Sequence, residues 1–183
     1  MFDHFYSDPH FGHANIIGFC DRPFHSVNEM ERELVRRYNA TVKDSETVLW
    51  LGDSFFCKEP DAREIMQALN GRKALIKGNH DKNPARMAAL GFEFVANEIT
   101  FSLGGQNFRA NHFPYSLGNF DRRKFETPKR RPGEILLHGH THNREALSQE
   151  NAIHCGVDAW EYAPVTAGQI TALVTDGQVW AAK

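Results

Sequence analysis

The chain has 183 residues, 41% of them apolar and 11% aromatic, which is enough for one sizeable core and short for two, so one domain over residues 1–183 is expected. Its 21 Lys and Arg face 23 Asp and Glu, and any attraction to nucleic acid must therefore come from a local basic patch. No apolar run nears the roughly 18 residues of a spanning helix, and the start MFDHFYSDPH has no basic-then-apolar signal pattern, so a cytoplasmic protein with no membrane partner is expected.

Residues Phe2 to Tyr6 predict a first strand, stopped by Ser7-Asp8-Pro9. Met30, Leu34, Val35 and Tyr38 recur at helical spacing between Ser26 and Val42, with Ser26 as cap and Glu29 as its capping-box partner. Thr47 to Leu51 reads as a buried strand ending at Gly52-Asp53. Pro60 to Leu69 reads as a helix, and Lys73 to Lys77 as a strand stopping at Gly78-Asn79-His80-Asp81. A short helix over Asn83 to Leu90 is closed by Gly91. Phe92 to Leu103 and Gln106 to Asn111 then read as two strands joined at Gly104-Gly105, the second running into His112. Residues 116–133 lack periodicity and read as loop, with Arg122, Arg123, Lys124, Lys129, Arg130 and Arg131 in its basic part from Asn119 to Gly133. Glu134 to Leu137 is a strand entering His138-Gly139-His140-Thr141-His142, Ala152 to Val157 another, and Ile170–Val174 with Val179–Ala182 a final hairpin. Strand and helix alternate first and strands dominate later, which predicts an α/β fold with a mixed sheet or two packed sheets.

Five predicted strands end in polar clusters: Asp8-x-His10, Gly52-Asp53, Gly78-Asn79-His80-Asp81, His112-x-Pro114 and Gly139-His140-Thr141-His142. In α/β folds ligands bind beyond the carboxyl ends of strands, so these ends can converge on one site. Carboxylates, imidazoles and an amide oxygen suit Mn, Fe, Co, Ni or Zn, and Mg less well. Cys20, Cys57 and Cys155 form no CxxC pair, which argues against a thiolate zinc site or a disulfide framework. Seven candidates, Asp8, His10, Asp53, Asn79, His112, His140 and His142, exceed the needs of one open catalytic ion and suit two ions sharing a carboxylate. On an extended segment residues two apart face one side, so Asp8 with His10, and His140 with His142, would each share a cavity.

These five elements, in this order, resemble the signature of the calcineurin-like metallophosphoesterase superfamily. DPHFGHANII and GVDAWEYAPV are similar to its small single-domain bacterial and phage members. The resemblance implies a four-layer α/β fold: a β-sandwich flanked by α-helices, with a dimetal site at the C-terminal rim of the strands. It implies two divalent ions, manganese first, with Fe, Ni, Co or Zn as alternatives. Asp8, His10, Asp53 and His142 would hold one, and Asp53, Asn79, His112 and His140 the other. The implied reaction is in-line attack of a metal-bridging hydroxide on a phosphate ester, with His80 as general acid and Asp81 orienting it and raising its pKa.

Many members follow Gly-Asp with an acidic residue and a phosphate-gripping arginine, whereas here Ser54, Phe55, Phe56 and Cys57 follow Asp53. His13, Arg22, Lys58, Arg122 and Arg123 are the candidate substitutes for substrate binding. His13 has two further readings, support of His10 or a purely structural role. Phe55 and Phe56 are read as core first and as a face for a leaving group second. Without that arginine a phosphodiesterase is favoured, acting on nucleic acid, a nucleotide or a cyclic phosphodiester. The alternatives are a phosphomonoesterase, of nucleotide or protein phosphatase type, and a non-catalytic metal-binding scaffold. The basic loop is either solvated surface or a grip for a polyphosphate or nucleic-acid backbone. His138 and His154 are assigned to packing or outer support, Asp158 and Trp160 to shaping the rim, and His4 and His25 to no role.

Overall fold

A computed structural model of the chain describes residues 1–118, 121–147, 149 and 151–179. The strands β1 (His4–Tyr6), β2 (Thr47–Trp50), β3 (Arg72–Ile76) and β4 (Phe94–Ala96) run parallel in one sheet. The order in this sheet is β4-β3-β2-β1, and its last edge is closed by β9 (Val165–Thr166), antiparallel to β1. A second sheet holds β5 (Glu98–Leu103), β6 (Gln106–Asn111), β7 (Glu134–His138) and β8 (Ala152–His154) in sequence order; β5 is antiparallel to β6, and the rest are parallel.

Side-chain alternation along the first sheet divides the core in two. Tyr6, Val48, Trp50 and Leu75 point to one face, where they meet Ile16 of α1 (Ala14–Phe19), Met30, Leu34 and Tyr38 of α2 (Val27–Thr41), Met66 of α3 (Glu59–Ala68) and Met87 of α4 (Pro84–Leu90). Phe5, Leu49, Leu51, Ala74 and Ile76 point the other way, into Phe108, Ala110, Ile135, Leu137 and Ile153 of the second sheet. Each fully buried large apolar side chain of these two layers contributes about 1.5–3 kcal/mol. The second sheet's outward residues, Arg109, Leu136, His138, Ala152 and His154, are buried as well. The segment after β6 covers Arg109, whose Nη2 donates to the Lys129 carbonyl and whose guanidinium lies over Tyr115. The fold is therefore mixed α/β, with two stacked sheets and helices on the outer face of the first. Among the described residues no helix is long and apolar enough to cross a membrane.

Three expectations change. Phe92 to Leu103 is not one strand: the chain breaks at Asn97 into β4 and β5, which belong to different sheets. The final hairpin is replaced by a helix, α5 (Ala167–Thr175). Its β-branched sequence reads as strand by propensity, but a reciprocal capping box outweighs that: Gln169 N–H donates to Thr166 Oγ1 (3.0 Å) and Thr166 N–H to Gln169 Oε1 (2.9 Å). Ile170, Leu173 and Val174 then share one face against the inter-sheet core. The hairpin's second strand extends past Val179 and so lies mostly outside the described residues. At α2 the Ser26 cap forms, yet Glu29 reaches the N–H of His25 rather than that of Ser26.

Candidate dimetal site

All five clusters follow parallel strands: β1, β2 and β3 in the first sheet, β6 and β7 in the second. Their C-terminal ends therefore share one rim. Backbone bonds join the first two loops, with Asp8 N–H donating to Gly52 (3.0 Å) and His10 N–H to Asp53 (3.2 Å). Asp8, His10, Asp53, His140 and His142 all adopt left-handed backbone, with φ between 50° and 70°. Such a conformation costs an L residue about 1–2 kcal/mol, and here it recurs at five candidate ligands, concentrating strain at the rim. It also corrects the picture of extended Asp-x-His and His-x-His segments: tight turns aim these side chains. Gly78 and Gly139 permit the crowding, because a Cβ at either would collide with the carboxylate of Asp53 or Asp8, respectively.

The side chains form two overlapping groups. In the first, Asp8 Oδ1 lies 4.0 Å from both His10 Nε2 and His142 Nε2. In the second, Asn79 Oδ1 lies 3.0 Å from both His112 Nε2 and His140 Nδ1. Asp53 Oδ2 stands between them, 3.7 Å from His10 Nε2 and 3.5 Å from His112 Nε2. His140 and His142 face this one centre in different groups. Within each of the sets Asp8, His10, His142 and Asp53, His112, His140, the ligand-capable atoms lie within 4.8 Å of one another.

Three of the four imidazoles are held at one nitrogen from outside, leaving the other aimed inward. His112 Nδ1 pairs with the Leu51 carbonyl (2.7 Å), His142 Nδ1 with Asp158 (3.0 Å) and His10 Nδ1 with His13 Nδ1 (3.1 Å). Asp8 Oδ1 and His10 Nε2 are buried and make no hydrogen bond. A carboxylate oxygen and an imidazole nitrogen facing one another without a donor are what a divalent cation satisfies. The donor set, nitrogen and oxygen without sulfur, fits the expected ions.

The electrostatics agree with this. Burial raises the Asp8 carboxyl, although the neighbouring His142 and His112 charges oppose it. Burial also works to raise Asp53, but His112, the His80 N–H and His10 outweigh it and leave the group below the usual range. His112 is held up at about 9 despite burial, chiefly by Asp53, and His142 at about 10 despite burial, chiefly by its bond to Asp158. Burial lowers His10 to about 2 and His140 to about 4. Imidazolium charge thus stands on His112 beside the Asp53 carboxylate and on His142 beside that of Asp158.

Around this centre the remaining candidates are placed unevenly. His80 is half exposed; its N–H donates to Asp53 Oδ1 (2.9 Å) and its Nε2 lies 4.0 Å from Asp53 Oδ2. Asp81 does not orient His80. Its carboxylate instead accepts the N–H groups of Asp53 (2.9 Å), Ser54 (2.9 Å) and Gly78 (2.8 Å), stapling two ligand loops together. Arg22 is buried and turned away from the rim, paired with Asp158 and bonded to the carbonyls of Asp8 and Pro9, which removes it from the substrate-binding set. His13 backs His10, and Phe56 stacks on both rings, 4.6 Å from His10 and 4.2 Å from His13. Phe55 is core, as expected. Lys58 is exposed at the start of α3, beside a cavity of about 270 Å³ that Asp81, Lys82 and Arg86 also line. Arg122 and Arg123 are exposed on a 3-10 turn (Asp121–Arg123) whose Asp121 lies 3.7 Å from His140 Nε2.

The sequence reading missed the partners of Asp158 and the aromatic seat of His140, where Phe113 and Phe125 stack at 4.9 Å and both meet the imidazole ring. Only the GVDAW stretch signalled the former, and nothing in the pattern signalled the latter. His138 and His154 are buried 5.3 Å apart, and burial lowers them to about 4 and about 3.

Known proteins resemble this chain in sequence and in fold. An uncharacterised protein of Methanocaldococcus jannaschii, MJ1445, is 34% identical over 184 residues, covering 94% of this chain and 91% of that one. The Gene 66 protein of Mycobacterium phage L5 is 30% identical over 183 residues, with 85% of this chain and 86% of its own covered. The crystal structure of AQ665, a protein of unknown function from Aquifex aeolicus, superposes with a TM-score of 0.71 at 25% identity, covering 93% of this chain and 97% of its own. The family model for the calcineurin-like phosphoesterase superfamily domain matches residues 6–176. That span contains every cluster at the rim, and the chain belongs to the calcineurin-like phosphoesterase superfamily, a family of phosphate-ester hydrolases that use two metal ions.

Proposed function

We propose that the protein is a dimetal-dependent phosphodiesterase, with manganese the first candidate ion and with nucleic acid, a nucleotide or a cyclic diester as substrate. The observation that carries this reading is the convergence of seven ligand-capable side chains in two groups that meet at Asp53 Oδ2. Asp8, His10, Asp53 and His142 would hold one ion, and Asp53, Asn79, His112 and His140 the other. Bound there, the ions supply a lowered water pKa and neutralise charge on the phosphate oxygens.

The chain's own groups do the rest. His80 shares a loop with Asn79 and is fixed through its N–H on Asp53; it carries the proton delivered to the leaving oxygen. Phe56 lies against His10 and 4.7 Å from the His80 ring, keeping water from one side of both. Arg122 and Arg123, on the turn beside His140, meet the flanking charge of a polyanionic substrate.

Two features favour the diester. A monoester brings close to two negative charges at neutral pH, whereas the buried cation nearest the ligand loops, Arg22, is committed to Asp158 and to backbone carbonyls. The wall beside His10 and His80 is the uncharged Phe56 ring. The test is metal-stripped protein reloaded with Mn, Ni, Co, Mg or Zn and assayed on bis(p-nitrophenyl) phosphate and p-nitrophenyl phosphate side by side. The diester is expected to show the larger kcat/KM by about tenfold, or about 1.4 kcal/mol in the barrier. A preference for the monoester overturns the diesterase assignment, and hydrolysis of neither with any ion overturns catalysis in favour of the scaffold.

A further inference from the structure

Arg22 and Asp158 lie 136 residues apart in sequence and form a two-pronged ion pair. Nε donates to Oδ1 and Nη2 to Oδ2, each at 2.8 Å, with the two side chains 0% and 1% exposed. The same guanidinium donates through Nη2 to the Asp8 carbonyl (2.8 Å) and through Nη1 to the Pro9 carbonyl (3.0 Å). On its other side, Asp158 Oδ2 accepts from His142 Nδ1 (3.0 Å). One buried pair thus touches the backbone of one ligand loop and the imidazole of another.

We propose that Arg22 and Asp158 are positioning residues for one ion of the two, the one expected between Asp8, His10 and His142; the proposal rests on the dimetal reading. Asp158 fixes the His142 proton at Nδ1 and thereby leaves the lone pair on Nε2, 4.0 Å from Asp8 Oδ1, for the ion between them. Arg22 holds Asp158 in place, and its bonds to two consecutive carbonyls pin the turn in which Asp8 stands at φ 57°. A planar fork with five donors is suited to this, since it serves a carboxylate and two carbonyls at once. The ligands of the other ion receive none of these contacts. His112 is held by the Leu51 carbonyl, and His140 by Phe113, Phe125 and Asp121. A pair that merely stabilised the fold would act on both halves alike, so the asymmetry is the signature.

The experiment is calorimetric titration of stripped protein with Mn²⁺, comparing wild type, Asp158→Asn, Arg22→Lys and His142→Ala, with thermal melting alongside. Asp158→Asn is expected to weaken one of two bound ions by about 10–100-fold and leave the other within about twofold. The weakened class should be the one that His142→Ala also loses, and Arg22→Lys, which keeps the charge without the fork, should fall between. Equal weakening of both classes, or no change in either, overturns the proposal. A wild-type isotherm with a single ion overturns the dimetal reading instead, and the pair then stands only if Asp158→Asn and His142→Ala weaken that one ion alike. Wild-type protein supplies a test that needs no variant: long-range ¹H–¹⁵N spectra of the Zn²⁺-loaded chain should show His142 protonated at Nδ1. A metal-bound Nδ1 overturns the proposal.

Discussion

Asp8 and His142 are backed by an ion pair whose side chains are 0% and 1% exposed, and His10 by His13 and the Phe56 ring. His140, on the other side of Asp53, is backed by Asp121, 40% exposed, and by two aromatic rings of the segment after β6. One half of the site is thus set by the interior of the fold, whereas the other, in which His112 is buried on the Leu51 carbonyl, leans at His140 on a surface segment. The contrast separates what fixes the chemistry from what meets the substrate. A buried brace tolerates little change, whereas a rim segment can vary without disturbing the core.

Substitutions can break this division or sharpen it. The largest effect is expected at its centre: Asp53→Ala should remove both ions and lower kcat/KM for a diester at least about thousandfold, several kcal/mol of transition-state stabilisation, checked by metal content and steady-state kinetics. His80→Ala should keep both ions yet lose about 10²–10⁴-fold in kcat on an alkyl diester, and far less on a nitrophenyl one. Unchanged turnover of the alkyl diester would remove the proton-donor role.

Metal loading should also depend on pH. In the metal-free chain His112 and His142 hold protons up to about 9 and about 10, and an ion must displace them. Affinity should therefore rise with pH and fall on acidification from about 9 towards 6, by up to about tenfold per pH unit for each proton released. Chelator competition at several pH values measures the slope, and a flat profile would mean that the imidazoles are already neutral. The smallest effect belongs to the rim. Arg122→Ala and Arg123→Ala should each raise KM for an oligonucleotide a few-fold, reduce its salt dependence by about one unit of slope and leave metal affinity unchanged. Equal effects on a small diester would place the arginines at the reacting phosphate rather than beside it.

The rim itself was legible in the sequence because each ligand follows a short apolar strand, and parallel strands end on the same side. Asp8, Asp53, Asn79, His112 and His140 could be picked out one strand at a time. What backs them could not, because it depends on pairs distant in the chain. From the sequence Arg22 reads as available for phosphate, but its fork is taken by Asp158; Asp81 reads as the partner of His80, but its oxygens accept three backbone N–H groups. The strand–helix error at residues 170–174 has a local cause: β-branched residues carry strand propensity, and a four-residue cap before them decided otherwise. At Asn97 the apolar-polar alternation slips phase, from Phe92, Phe94 and Ala96 to Ile99, Phe101 and Leu103; the slip marks a break, but only tertiary structure says that the chain changes sheets there.

The pairing of Arg22 with Asp158 also bears on the order in which the protein can be made. At about 5–20 residues per second, the 136 residues between them take on the order of ten seconds to synthesise. Strand β1 waits longer still for β9, its antiparallel neighbour. A nascent chain paused before Asp158 already carries Asp8, His10, Asp53, Asn79, His112, His140 and His142, but not the carboxylate that joins Arg22 to His142. Completion of the first half thus waits for Asp158, after every one of the seven ligands has been synthesised.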